Sequence, residues 1–322
     1  MYELNRLIEF ACKKFAKGNQ VIFATIVKTI GSSYRKKWTQ MAISSDLEYT
    51  GHLSGGCVEK EIFVQAKKIF DGGCNLIFEY DGSYRLGCKG VIYVLLELVD
   101  NNNFIKIYEN IKAHQKNRTT FKLGIDDLED GMKQTYFNFK DATNYFNKPD
   151  TKIFKTDTID ILPQKQLIII GGEFDSNMLR EMALKIGYKT TQVVGMGYAI
   201  PIEASNIICV EPALIKEHFI FDMRTAILLM THSYARDLHY IKELLREDVA
   251  YIGTLGPKER KNELLNYLFD NYADTEPKLI DKIEHLKGPL GIDIPSKTPE
   301  EISISIFAEL IEVFNKKKEK SV

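Results

Sequence analysis

The sequence has no excess of charge of either sign. Its 322 residues include 43 Lys and Arg against 44 Asp and Glu, which gives a formal net charge of -1. A protein without a strong positive field has no long-range attraction for nucleic acid or for an anionic membrane surface. We therefore expect neither nucleic acid nor a membrane among its partners.

Long apolar runs are also missing. No stretch approaches the roughly 20 residues that cross a bilayer as a helix, and the longest candidates, 167–170 and 226–230, are short. Residues 1–17 interleave charged and apolar side chains, unlike the continuous apolar segment of a secretion signal. These features predict a cytoplasmic protein.

Cysteine is sparse, with 5 residues in the whole chain. Sparse cysteines of odd number do not build the disulfide framework of a small secreted protein, so reduced thiols are expected. No pair has the spacing of a zinc ribbon, and the 6 histidines form no motif such as HExxH. A structural zinc site is therefore not expected.

The pattern of the chain changes near residue 160. A hydrophobic content of 44% in 322 residues is enough for two domains of roughly 150 residues each. Residues 1–160 mix helical periodicity with β-branched runs and end in alternating aromatic segments, which predict an α+β domain with an added antiparallel β region. Residues 161–322 alternate strand and helix patterns, which is typical of a Rossmann-like, doubly wound parallel sheet. The predicted fold class is α/β.

The hydrophobic pattern also predicts individual elements. The last helix is expected to begin with a capping box, with Thr298 at the N-cap and Glu301 three residues later. The predicted helices span 4–15, 57–70, 104–114, a segment ending near 186, and 299–314. The predicted strands span 21–29, 41–44, 75–80, 91–98, 121–125, 134–139, 151–154, 167–170, 190–194, 207–210, 225–230 and 249–252.

The turn after the strand at 167–170 lies where a dinucleotide fingerprint would begin. Gly171 and Gly172 are followed by Glu173 and lack the later glycines that let the backbone approach a pyrophosphate. The next strand ends at Gly195, without the carboxylate that binds a ribose hydroxyl. We therefore expect no ordinary NAD(P) site, but a nucleotide-binding framework whose site is lost or repurposed.

The segment Ser54-Gly55-Gly56-Cys57 precedes a predicted helix. Glycines free backbone N–H groups to converge on an anion at a helix N-terminus, and the same field lowers the pKa of a thiol. Cys57 is therefore a candidate nucleophile or soft metal ligand, the alternative being a small buried cysteine in a tight turn. Cys88, between Gly87 and Lys89, is a second thiol in a glycine-containing loop. The two together indicate a phosphate-bearing or metal-bearing ligand.

Two further groups follow predicted strands of the second part. Thr231, His232 and Asp237 lie at the lip of the expected crevice and are either functional or part of a helix start. Gly256, Lys258 and Arg260 follow the next strand and either bind an anion or form a plain strand-to-helix turn. The residue pattern leaves both alternatives open.

A series of motifs runs along nearly the whole chain. These motifs are Gly31-Ser32-Ser33-Tyr34-Arg35, Ser54-Gly55-Gly56-Cys57-Val58-Glu59, Leu86-Gly87-Cys88-Lys89-Gly90, Met230-Thr231-His232 with Asp237, Tyr251-Ile252-Gly253 with Gly256, Lys258 and Arg260, and Gly288-Pro289-Leu290-Gly291-Ile292-Asp293 followed by 298–302. In this order they resemble the XdhC/CoxI family, the accessory proteins of xanthine and carbon monoxide dehydrogenases. The chain departs from the family's pattern at 172–175 and at Gly195.

The resemblance implies an XdhC-type domain followed by a Rossmann domain, and a cofactor chaperone rather than an enzyme. Its implied ligand is molybdenum cofactor, with Cys57 or Cys88 near the metal, and its implied partners are a client molybdenum hydroxylase and a cysteine desulfurase. A homodimer is expected because most soluble homo-oligomers are twofold. The alternative is an NAD(P)-dependent oxidoreductase that uses the Rossmann domain. The implied binding residues are Ser33, Arg35, Ser54, Gly55, Gly56, Cys57, Glu59, Gly87, Cys88, Gly171, Gly172, Thr231, His232, Asp237, Gly256, Lys258 and Arg260.

Overall fold

The computed structural model of the protein describes residues 1–33, 35–82, 90–201 and 205–316. The chain divides into two compact units, Met1–Pro163 and Gln164–Val322. Within the described ranges, no helix is long and apolar enough to cross a bilayer.

The first unit contains a five-stranded antiparallel sheet in the order β3-β2-β1-β5-β4. Its strands are β1 (Val21–Gly31), β2 (Gln40–Ser44), β3 (Tyr49–Thr50), β4 (Leu76–Asp81) and β5 (Gly90–Leu98). Both faces of β1 are buried, because Val21 and Phe23 pack into one cluster while Ile22 and Ala24 pack into another. Successive side chains of a strand point to opposite faces, which explains the continuous apolar run.

Helices and a second sheet cover the two faces of this sheet. Helix α2 (Cys57–Phe70) packs on one face, whereas α1 (Tyr2–Phe15) and α3 (Asn101–Asn117) share the opposite core with the second sheet. The second sheet is antiparallel with the order β8-β7-β6-β9, as the added β region predicted. Its strands are β6 (Phe121–Leu128), β7 (Lys133–Asn138), β8 (Thr143–Tyr145) and β9 (Ile153–Ile161).

The second unit contains a six-stranded parallel sheet. Its strands are β10 (Gln166–Ile170), β11 (Lys189–Val194), β12 (Ile207–Cys209), β13 (Thr225–Leu229), β14 (Tyr251–Thr254) and β15 (Leu286–Lys287). Its helices are α4 (Phe174–Lys185), α5 (Ile215–His218), α6 (Tyr234–Leu244), α7 (Lys258–Tyr272), α8 (Pro277–Ile280) and α9 (Pro299–Lys316).

The strand order β12-β11-β10-β13-β14-β15 is the 3-2-1-4-5-6 order of a Rossmann fold. The predicted α/β fold class is therefore confirmed. Because the chain reverses direction across the sheet between β10 and β13, a crevice forms beyond the carboxyl ends of these strands. The candidate residues at 171–172 and 231–232 follow β10 and β13 directly.

Some elements differ from the sequence prediction. The strand expected over 249–252 is Tyr251–Thr254, and the one expected over 151–154 begins at Ile153 and continues to Ile161. Most of β9 is exposed, since it is an edge strand held by backbone pairing to β6, and its Thr and Asp residues carry no burial pattern. Strand β15 is too short to leave a periodic pattern.

Candidate functional site

The turn before α2 is organised by the carboxylate of Glu59. Its Oε1 accepts hydrogen bonds from the backbone N–H groups of Leu53 at 3.0 Å and Ser54 at 2.7 Å. Its Oε2 accepts from Gly56 N–H at 2.9 Å and from Ser54 Oγ at 2.5 Å. Gly56 has a φ of 109°, a left-handed conformation that glycine adopts without steric cost. Glu59 therefore determines the path of the chain into the helix.

This arrangement changes the role expected of Glu59. The side chain is buried, with a relative exposure of 5%, and faces the inside of the turn. Burial by itself raises the pKa of Glu59, but hydrogen bonds from Ser54 and the backbone hold that pKa below its ordinary value. The carboxylate thus stays ionised and already occupies the N–H group of Gly56. Among the residues that the structure describes, the N–H groups of Gly55 and Cys57 have no such internal acceptor.

A cavity of about 450 Å³ lies beside this turn. The rings of Tyr49 and Phe63 meet edge to face, with centroids 5.2 Å apart, and Lys60 contributes an ammonium group. Cys57 follows Gly56 at the first position of α2 and is exposed, so the alternative of a buried packing cysteine is wrong. The cavity is lined by Tyr49, His52, Ser54, Gly55, Gly56, Glu59, Lys60 and Phe63.

Arg35 lies in a neighbouring cavity of about 60 Å³, together with Arg6 and Glu3. Ser33 supports this loop, because its Oγ donates to the carbonyl oxygen of Arg35 at 2.7 Å. His52 lines both cavities, so Arg35 and the turn before α2 lie on the same side of the first unit. Two of the predicted groups are thereby brought together.

The second predicted thiol, Cys88, and the adjacent Gly87 lie outside the described residues. Within the described part of the chain, no group of three or more His, Cys, Asp or Glu residues is arranged to hold a metal ion.

In the second unit, Gly171, Gly172 and Thr231 line one cavity of about 240 Å³ at the carboxyl edge of the parallel sheet. Gly171 has a φ of 150°, and a Cβ atom placed on it would lie 2.2 Å from the carbonyl oxygen of Met230. A Cβ atom on Gly172 would lie 2.5 Å from the ring of Tyr198. Gly171 is therefore required by close packing against the backbone at Met230, whereas Gly172 lies against the ring of Tyr198.

Asp237 connects two of the predicted groups. It is 1% exposed, and its Oδ1 accepts from Thr231 Oγ1 at 2.6 Å while its Oδ2 accepts from Arg260 Nη2 at 2.7 Å. The charge of Arg260 is thus already paired, and both side chains tie the strand ends to the starts of α6 and α7. We interpret Asp237 and Arg260 as positioning residues.

The remaining candidates surround this network. His232 has a φ of 53°, and its Nε2 lies 3.0 Å from Asp175 Oδ2, which joins the loop after β13 to the start of α4. Gly256 precedes α7, and Lys258 is the first residue of that helix. Neither residue lines the cavity at Gly171. They therefore lie outside the cavity that holds the other candidates of the second unit, Gly171, Gly172 and Thr231.

Several cavity residues were not predicted from the sequence. His52 and Lys60 flank the glycine turn and could have been found by its proximity, since cations beside an N–H cluster favour an anion. Tyr49 and Phe63 come together only through the fold. In the second unit, Arg236 enters the crevice from α6, and Tyr198 enters it from the loop after β11. The sequence indicates a role for Arg236 only through its position directly before the candidate Asp237.

Comparison with known proteins connects this geometry to relatives of the chain. A probable xanthine dehydrogenase subunit of Bacillus subtilis (strain 168) is 25% identical over 325 residues, covering 91% of this chain and 93% of the relative. Molybdenum cofactor insertion chaperone PaoD of Escherichia coli (strain K12) is 21% identical over 313 residues, covering 95% of this chain and 87% of the relative. The crystal structure of a xanthine dehydrogenase from Bacillus halodurans matches with a TM-score of 0.78 at 26% identity, covering 100% of this chain and 98% of that chain.

Family comparison matches both units. Residues 15–81, which include the turn before α2, match the XdhC and CoxI family, and residues 167–310, which include the parallel sheet, match the XdhC Rossmann domain. The order of the two matches is the order in which the motifs occur along the chain. The predicted resemblance is confirmed, and the chain belongs to the XdhC and CoxI family.

Proposed function

We propose that this protein binds molybdenum cofactor and delivers it to a molybdenum hydroxylase of the xanthine dehydrogenase type. Family membership and the relative named as a cofactor insertion chaperone support the class of function. The observation that carries the proposal for this chain is the exposed Cys57 at the first position of α2, beside a cavity of about 450 Å³ lined by aromatic rings and a cation.

The residues present fit the chemistry of this cargo. Molybdenum cofactor combines a pterin, a phosphate and a molybdenum atom held by a dithiolene, and when bound it would bring that metal to the site. The rings of Tyr49 and Phe63 offer an apolar wall for the pterin. Lys60 and the N–H groups of Gly55 and Cys57 can bind the phosphate. The sulfur of Cys57 is a soft ligand suited to the metal.

Glu59 acts in this proposal by ordering the turn. Its carboxylate holds the N–H groups of Leu53, Ser54 and Gly56, so the turn is ordered before any ligand arrives. An ordered site loses less conformational entropy on binding than a flexible one. Glu59 is therefore a positioning residue for Cys57.

A carrier must also release its cargo. The candidate site lies at an exposed helix start. Among the described residues there, Cys57 is the thiol, and it is not part of a group of three or more residues that could hold a metal ion. Few contacts favour moderate affinity, so that a client with a deeper site can withdraw the cofactor. In this proposal the carrier is a homodimer and receives sulfur for the cofactor from a cysteine desulfurase.

The proposal is tested by measuring molybdenum and pterin in protein purified without oxygen from cells that make the cofactor. Near-stoichiometric molybdenum and pterin are expected in the wild type, with a loss of at least tenfold in Cys57→Ser. The matched control is Cys74→Ser, since Cys74 is also exposed and lies in the same unit, but beyond the opposite end of α2.

Two results would contradict the proposal. Absence of both metal and pterin after reconstitution with free cofactor would exclude the carrier function. Equal metal content in Cys57→Ser and wild type would exclude the thiol as the metal contact; Cys88→Ser and the double variant then show whether the other predicted thiol serves instead. Client activation by loaded protein, measured with a cofactor-free hydroxylase, tests delivery separately.

A further inference from the structure

The crevice of the parallel sheet contains a cation that the proposed carrier function does not use. Arg236 lies in the first turn of α6 and lines the cavity of about 240 Å³ together with Gly195. A Cβ atom placed on Gly195 would lie 3.5 Å from Nη1 and 3.6 Å from Cζ of Arg236, so the guanidinium covers the end of β11. Within the described ranges, this guanidinium makes no hydrogen bond or ion pair to a protein group.

The position of this charge is informative. At the end of the second strand of a Rossmann sheet, a carboxylate binds the ribose hydroxyls of NAD, whereas an arginine accommodates a phosphate. Here the strand ends in Gly195, and the nearby side chain is that of Arg236. The local electrostatics are thus reversed relative to an NAD site, and they favour a negatively charged group.

The glycine turn at the edge of the crevice is packed from behind. Ser176 is completely buried in the first turn of α4, and its Oγ has no hydrogen-bond partner among the described residues. The same Oγ lies 2.9 Å from the position of a Cβ atom on Gly171, which lines the crevice. Gln192 keeps this turn in place, because its Nε2 donates to the carbonyl oxygen of Gly171 at 2.8 Å.

The same crevice is unsuited to a pyrophosphate. The ring of Tyr198 occupies the space beside Gly172, where the backbone of a dinucleotide site approaches the pyrophosphate. Glu173 also lines the cavity and places a carboxylate at the start of α4. A carboxylate there repels a pyrophosphate but accepts hydrogen bonds from hydroxyl or amino groups. The crevice therefore combines one cationic subsite with one acceptor.

We propose that this crevice binds the phosphate monoester of a nucleotide-sized ligand, with the phosphate on Arg236 and the hydroxyl or amino groups of the ligand facing Glu173. Because the cofactor phosphate is assigned to the turn before α2, the ligand expected here is a nucleoside monophosphate. The site belongs to the second unit and does not depend on the thiol of Cys57.

The test is isothermal titration of the full-length protein with 5′-AMP, adenosine and NAD⁺. Saturable binding of 5′-AMP is expected, with adenosine at least tenfold weaker because it lacks the phosphate, and NAD⁺ also weaker because it carries a pyrophosphate instead. Arg236→Gln should weaken 5′-AMP binding at least tenfold. Lys185→Gln is the matched control, since it removes one positive charge from an exposed position of the same unit.

Gly195→Asp is a second variant that should leave the backbone intact, because the atoms nearest to a Cβ placed there belong to the Arg236 guanidinium, at van der Waals distance. The new carboxylate should pair with Arg236 and weaken 5′-AMP binding by a similar factor. Circular dichroism and thermal unfolding verify that both variants fold.

Pterin content of Arg236→Gln, purified from cells that make the cofactor, separates this site from the cofactor site. Unchanged pterin together with lost 5′-AMP binding supports a separate nucleotide site. The proposal is overturned if pterin is lost with Arg236, if 5′-AMP binding does not depend on Arg236, or if adenosine binds as tightly as 5′-AMP. The molybdenum content of the wild type reports on the carrier function separately, so either proposal can fail alone.

Discussion

At the scale of single residues, Asp237 carries a charge that is 1% exposed and has two side-chain partners, Thr231 and Arg260. Asp237→Asn should lower the free energy of unfolding by about 3 kcal/mol, because removing one charge of a buried ion pair leaves the other without compensation. Thr231→Val is the control and should cost less, about 2 kcal/mol, because it removes the hydrogen bond to Asp237 and the one that Thr231 Oγ1 accepts from Ser233 N–H. Urea unfolding of both variants checks this, and equal stability of Asp237→Asn and wild type would contradict it.

Glu97 is another buried carboxyl group. It is not part of the candidate site, and its burial makes it a probe of how stability depends on pH. It is fully buried on β5, and it accepts hydrogen bonds from Thr135 N–H at 2.8 Å and Thr135 Oγ1 at 2.5 Å. Burial raises its pKa from 4.5 to about 7, although the two hydrogen bonds act in the opposite direction.

The sign of the resulting pH dependence follows from this raised pKa. The folded protein keeps the proton of Glu97 up to about pH 7, whereas the unfolded chain loses it near pH 4.5. Stability from this group is therefore present at low pH and falls between these values, by about 3 kcal/mol in total. Glu97→Gln should remove this fall, so its stability advantage over wild type should grow across the window in urea titrations. Parallel pH profiles would disprove the assignment.

At the scale of secondary-structure elements, α9 begins with the predicted capping box. Thr298 Oγ1 accepts from Glu301 N–H at 3.3 Å, and Glu301 Oε2 accepts from Thr298 N–H at 3.2 Å. Backbone hydrogen bonds from Lys297 and Thr298 lower the pKa of Glu301, consistent with an ionised cap. The helix then buries Ile306 and Leu310 against the parallel sheet.

Loss of this cap should weaken the whole second unit. Thr298→Ala is expected to lower the free energy of unfolding by about 1 kcal/mol, because one N-terminal N–H group loses its acceptor. Thr298→Ser keeps the hydroxyl and should match the wild type. Thermal unfolding followed by circular dichroism distinguishes the two, and an equal loss in Thr298→Ser would indicate a packing effect of the methyl group instead.

At the scale of the whole molecule, each unit has its own core. The clusters around Phe23 and Ile22 draw their residues from the first unit, and those around Ile168 and Leu167 draw theirs from the second. Separately expressed chains 1–163 and 164–322 should therefore each unfold in one cooperative transition. A fragment that binds the dye ANS and lacks a thermal transition would show that its core needs the other unit.

Local patterns were sufficient for much of the fold. Helix α2 begins and ends where glycine punctuation and apolar spacing predicted, and the capping box at Thr298 formed as expected. The alternation of strands and helices after residue 160 identified the parallel sheet. Edge strand β9 was placed less well, because its exposed residues are not selected by burial.

The same distinction between local and tertiary determinants applies to the candidate site. The sequence by itself determined which chemical groups exist, namely the glycine turns, the thiol of Cys57 and the strand-end residues, since backbone freedom and side-chain chemistry are local properties. The pairing of Glu59 with the turn N–H groups is also local, because these groups lie within six residues of it. Only the tertiary structure decided that Arg260 is already paired with Asp237. It also decided that, among the described residues of the crevice, the unpaired cation is Arg236. Pairing depends on distances between segments that are remote in sequence, and these distances are determined by the packing of strands and helices.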